Sequence, residues 1–84
     1  MKNTDPKKSD AILTIARNIK HFRLRENISQ EYLAELSDLH GNYIGQCERA
    51  EVNVSVLNLE AIASALNIKI TDLVDRHFVV NYDR

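Results

Sequence analysis

The sequence predicts a single all-α domain of five helices, and three observations carry that prediction. Apolar residues recur at helical spacing over Ile12, Ile15, Ala16, Ile19 and Phe22, and again over Val56, Leu59, Ile62, Ala63 and Leu66. Ser9, Ser29 and Ser55 stand just ahead of such patterns, at positions suited to N-caps. Between the two long patterns lies Ile28–Ala50, ISQEYLAELSDLHGNYIGQCERA, which holds two short helical patterns around a tight polar corner.

The first helix is expected over residues 9–26. Ser9 caps it, Asp10 favours its positive end, and Lys20, Arg23 and Arg25 suit its negative end. Asn27 fits the left-handed residue that ends many helices. Ser29 opens the second helix, which turns Leu33, Ala34 and Leu36 inward. Ser37-Asp38 makes the corner and Leu39 plugs the angle behind it. The third helix places Ile44 and Cys47 inward and leaves Asn42, Tyr43, Gly45 and Gln46 facing outward. Ser55 caps the fourth, Asn67 stops it, and Thr71 caps a short fifth helix containing Leu73 and Val74. Residues 1–8 lack apolar periodicity and are expected to be a flexible arm. The tail, residues 77–84, is expected to be either a short strand or an apolar strip that packs on a partner subunit. The domain proper is thus residues 9–76, with its central motif at 29–49.

Composition narrows the function classes. At 84 residues the chain is one domain, with 11 basic and 12 acidic side chains, so overall charge gives no argument for nucleic acid. The basic residues crowd the N-terminal third and the acids dominate past Ala50. Cys47 is alone and inward, as befits a small core hydrophobe rather than a disulfide partner. No apolar run reaches the length of a membrane span or signal-peptide core, so a cytoplasmic protein with no membrane partner is expected. His21, His40 and His77 lie far apart, without Cys or carboxylate at ligand spacing, so no metal is expected. No phosphate-binding glycine loop or nucleophile motif appears, and a chain this short leaves little room for a substrate cavity. Neither an enzyme, a cofactor nor a small-molecule substrate is expected.

Two short helices joined by a turn describe a helix-turn-helix, which lays its second helix in the DNA major groove. From Ile15 to Val74 the chain resembles the lambda-repressor-like family of helix-turn-helix DNA-binding domains. The carriers are NIKHFRLRENISQEYLAELSDLHGNYIGQCERA and the later NLEAIASALNIKITDLV. Within the family it looks most like the small controller proteins of restriction-modification systems, which share the Leu-His corner and Tyr-Ile in the recognition helix.

The resemblance implies roles residue by residue. Asn42 and Gln46 match outward positions that read base edges, and their amides suit bidentate bonds to adenine. Tyr43 is expected either to touch a phosphate or a thymine methyl, or to be half-buried core. Gln30, Arg49 and Asn53 match phosphate-holding positions. Arg23 and Glu48 match a pair that forms an internal salt bridge, which also leaves Arg23 near the DNA backbone. Two departures stand out. Gly41 replaces a long polar side chain, and Ala50 replaces a left-handed glycine, so the third helix is expected to run on a little before turning.

One monomer reads too few base pairs, so a homodimer on a palindromic double-stranded operator is expected. Its contact residues are expected among Leu57, Ile68, Ile70, Val74, Phe78, Val79 and Tyr82. The function expected is an autoregulated transcriptional regulator of the controller type. The alternative is an antitoxin-like or adaptor module whose tail binds a protein.

Overall fold

Every helix but the last stops in the same way, and those stops shape the molecule. The computed structural model describes residues 5–77. Its helices are α1 (Asp10–Arg25), α2 (Gln30–Leu36), α3 (Tyr43–Glu48), α4 (Val56–Ala65) and α5 (Ile70–Val74), preceded by a 3-10 turn at Pro6–Lys8. Asn27, Asp38, Ala50 and Asn67 all have φ between 56° and 59°. After each, the chain folds back so that an N–H reaches a carbonyl five residues earlier: Ile28 to Arg23, Leu39 to Ala34, Glu51 to Gln46 and Ile68 to Ala63, at 2.8–3.3 Å. These are Schellman stops, which satisfy carbonyls that a helix end leaves orphaned. At three of them the residue after the left-handed one is apolar, and Ile28, Leu39 and Ile68 each pack on the core.

The helix starts follow the sequence equally closely. Ser9, Ser29 and Ser55 accept from the backbone N–H three residues on, at 3.2, 3.0 and 3.1 Å. The fifth helix starts differently from expectation. Thr71 lies inside it, and the start is fixed by Asp72, whose carboxylate accepts from Lys69 N at 2.9 Å. Residues 6–8, expected in the arm, form the 3-10 turn, with Asp5 accepting from Lys7 N. Residues 1–4 and 78–84 lie outside the described residues, and with them the tail strand and the contacts expected of Phe78, Val79 and Tyr82.

The core gathers Ile15, Ile19 and Phe22 of α1, Leu33 and Ala34 of α2, Ile44 and Cys47 of α3, Leu59, Ile62 and Ala63 of α4, and Leu73 of α5. Burying each large side chain contributes about 1.5–3 kcal/mol. Cys47 behaves as one more hydrophobe, and burial pushes its thiol up to about 11. Val56, expected on the apolar face of α4, is instead 68% exposed. It sits at the first position of the helix, beyond the edge of the buried stripe. Leu36, expected inward, is 47% exposed: it is the last residue of α2, and the buried side of that helix is formed by Leu33, Ala34 and the C-cap Ser37.

Ala50 corrects a further expectation. The third helix does not run on: it ends at Glu48, and Ala50 itself takes the left-handed conformation. A methyl there costs roughly 1–2 kcal/mol of backbone strain. It also packs with Ile12 and Ala16 in a small second apolar cluster, which offsets part of that cost.

One polar residue joins the two ends of the domain. Asn18 is fully buried in α1, and its Nδ2 donates to the carbonyls of Asp72, Leu73 and Asp75 at 3.3, 3.0 and 3.0 Å. The amide thus caps the C-terminus of α5, and only its NH2 end fits there. Asn18→Asp, which turns a carboxylate on the same carbonyls, is expected to destabilise the fold by about 2–4 kcal/mol. Urea unfolding measures this, and an unchanged midpoint would show that α5 needs no such cap.

Candidate nucleic-acid interface

The groove between the starts of α2 and α3 is organised from below by a buried ionic network. Arg23, near the end of α1, and Glu48, the last residue of α3, meet through two bonds: Nε to Oε2 at 2.6 Å and Nη2 to Oε1 at 3.0 Å. The remaining guanidinium arm, Nη1, donates to the carbonyl of Ile28 at 2.8 Å. From the other side Gln30 Nε2 donates to Glu48 Oε1 at 3.0 Å. One carboxylate therefore ties α1, the α1–α2 loop, the first residue of α2 and the end of α3 together. The pair is nearly desolvated, with side chains 10% and 4% exposed. Such a pair holds its geometry firmly, since breaking it strands a charge in low dielectric. Arg23, also expected to hold a DNA phosphate, makes these three bonds within the protein and still lines the groove above.

Above the network lies a shallow polar groove lined by Arg23, Ser29, Gln30, Glu31, Gly41, Asn42, Gly45, Gln46 and Arg49. It brings together five of the residues expected to touch DNA, namely Arg23, Gln30, Asn42, Gln46 and Arg49. Asn42 is exposed and sits at the N-cap position of α3 without capping it, so its amide is available to a ligand. Gln46 is half-buried on the same side of the helix, one turn on. Arg49 closes the groove at the C-cap, 57% exposed at its side chain and paired with Glu51. Asn53 is exposed in the α3–α4 loop and does not line the groove.

Two outward assignments are revised. Tyr43 packs on the core, and its hydroxyl accepts from Asn58 Nδ2 of α4 at 3.0 Å. It is half-buried and lies outside the groove that Asn42 and Gln46 line. Gly45, expected outward, is buried under the side chains of its neighbours. A Cβ there would stand 3.0 Å from Arg49 Nη1 and 3.1 Å from Gln30 Oε1. Its bare backbone is what lets those two side chains lie across the helix. Gly41 is the opposite case, since a Cβ there meets nothing within 4 Å. The turn leading into α3 therefore presents backbone alone at that point.

Sequence reasoning missed three contributors. Asn18 resembled a solvated polar residue, and Asn58 carried no signal linking it to Tyr43. Glu51 gave no spacing clue to its pairing with Arg49, at 2.9 and 3.3 Å. Outside the groove, Leu57 of α4 is 75% exposed and Val74 of α5 43% exposed. Ile68 and Ile70 are partly buried against the core and line a second shallow depression with Glu60, Ala63, Ser64 and Asn67.

Comparison with known proteins agrees with this geometry. The helix-turn-helix family pattern matches residues 19–73, more than half of the chain. The chain is similar to Control protein C.SmaI of Serratia marcescens, 43% identical over 67 residues that make up 80% of each chain. It is also similar to Control protein C.BamHI of Bacillus amyloliquefaciens, 42% identical over 64 residues, covering 75% of this chain and 79% of that one. Among solved structures, the restriction-modification controller protein C.AhdI of Aeromonas hydrophila superposes with a TM-score of 0.71 at 35% identity, covering 74% of this chain and 94% of that one. The chain belongs to the lambda-repressor-like helix-turn-helix family.

Proposed function

We propose that this protein is a sequence-specific DNA-binding transcriptional regulator, a controller of a restriction-modification system that acts as a cytoplasmic homodimer on a palindromic operator. The observation that carries the reading is the division of α3 into two sides. Ile44 and Cys47 lock its inner side into the core, and Glu48 bolts its end to Arg23. Asn42 and Gln46 are then presented from a rigid support across an open groove. Rigid presentation matters because base readout depends on bidentate geometry, whereas phosphate contacts only position the protein. Arg49, Gln30 and Asn53 are assigned the phosphate contacts.

The roles separate by their salt and sequence dependence. Arg49→Ala is expected to weaken operator and random DNA alike and to flatten the salt dependence by about one unit. Fluorescence anisotropy with both duplexes measures this. A loss confined to the operator would instead make Arg49 a base reader.

The dimer is assigned to α4 and α5, which expose Leu57 and Val74 and, with the loop between them, supply Ile68 and Ile70 to a shallow depression. A two-fold contact repeats every residue, so one introduced charge is felt twice. Leu57→Arg is expected to raise the dimer dissociation constant by roughly tenfold or more. Sedimentation equilibrium reads it, and an unchanged association constant would place the interface elsewhere.

A further inference from the structure

The Schellman stop that ends α3 differs from the other three in one respect. Where Ile28, Leu39 and Ile68 drive an apolar side chain into the core, the corresponding residue is Glu51, and it stays at the surface. The turn carries the chain back past Arg49, the C-cap residue, and delivers the Glu51 carboxylate to its guanidinium. Nε donates to Oε2 at 2.9 Å and Nη2 to Oε1 at 3.3 Å. This is the two-pronged fork by which arginine grips a phosphate. The third nitrogen, Nη1, lies over Gly45 in the groove.

We propose that Glu51 is an internal competitor for Arg49, occupying the guanidinium edge that a DNA phosphate must take and so lowering affinity for DNA of any sequence. The proposal rests on the DNA-binding reading above. It makes Glu51 an affinity-setting residue that no base contact would reveal.

The charges around the pair support the exchange. Hydrogen bonding to Arg49 holds the Glu51 carboxyl below its ordinary range, so it is ionised at neutral pH, and the nearby Lys7 ammonium acts in the same direction. When phosphate displaces it, the freed carboxylate stays beside the DNA backbone and takes up a cation from solution. One of the ions released by DNA is thereby recaptured. Wild type should therefore show a shallower salt dependence than its number of basic contacts implies. Glu31, the acid that lines the groove itself, is not paired with Arg49 as Glu51 is and provides the control for simple repulsion.

The test uses the full chain and fluorescein-labelled duplexes of about 30 bp, one random and one from upstream of the protein's own gene, at roughly 50–200 mM KCl. Glu51→Gln is expected to tighten binding to both duplexes by the same factor, roughly three- to tenfold at the lowest salt. The slope of log affinity against log salt should steepen by about one unit. In an Arg49→Ala background the gain from Glu51→Gln should vanish, while any gain from Glu31→Gln persists. A thermal melt of Glu51→Gln close to wild type excludes a folding effect. If wild type binds DNA and Glu51→Gln does not change it, the competition is wrong while the DNA reading stands. If the gain survives in Arg49→Ala, Glu51 repels DNA directly and the competition is again wrong. If neither wild type nor Glu51→Gln binds either duplex, both readings fall together.

Discussion

Glu48→Ala is expected to destabilise the domain by about 3–5 kcal/mol, because it leaves the Arg23 guanidinium buried with no counter-charge. That is a large share of the roughly 5–15 kcal/mol available to a domain of this kind. Two donors of Arg23 lose their acceptor, and Gln30 loses the one that holds its amide inward. DNA binding should fall more than stability alone accounts for, since the end of α3 is then free to shift against α1. Urea unfolding gives the first quantity, and anisotropy at a temperature where the variant is folded gives the second. Replacing both partners by apolar side chains, Arg23→Met with Glu48→Leu, should recover most of the stability. A Glu48→Ala variant within about 1 kcal/mol of wild type would show that the pair is dispensable.

Gln46→Ala is expected to act in the opposite manner, sparing the fold and striking specificity. Gln46 is half-buried at the groove and makes no contact on which the core depends. Its loss should cost about 1–3 kcal/mol of operator binding, confined to particular base pairs. With Gly41 bare and Tyr43 turned to Asn58, few side chains share the reading, so the loss should be felt strongly. Competition with single-base-pair operator variants reads this directly. An equal loss on operator and random DNA would remove Gln46 from base reading.

The fold was legible because each local signal agreed with the next. Serines at helix starts, left-handed residues at helix stops and a helical apolar period between them leave few ways to arrange the chain. Ala50 was misread because propensity alone disfavours alanine in a left-handed turn. The packing of its methyl on Ile12 and Ala16 is a tertiary effect that no local window contains. The start of α5 was misread for a related reason, since Thr71 and Asp72 both look like caps and only the path of the chain chooses between them.

The site was legible where spacing fixed geometry and obscure where partners came from afar. Asn42 and Gln46 lie on one side of a helix by their separation alone. Tyr43 looked equally outward, and its direction is decided by Asn58, fifteen residues later in the chain. Arg23 could be matched to Glu48, yet the carbonyl of Ile28, which takes its last arm, belongs to a loop whose path depends on the left-handed Asn27. Asn18 is the fullest case: its partners lie more than fifty residues away, and nothing near it in sequence distinguishes it from a surface amide.

The most direct test of the account is footprinting on the DNA immediately upstream of the protein's own gene. A controller of this type should protect two related half-sites on one face of the duplex, about one helical turn apart. Absence of protection there, with no DNA binding at low salt, would contradict it.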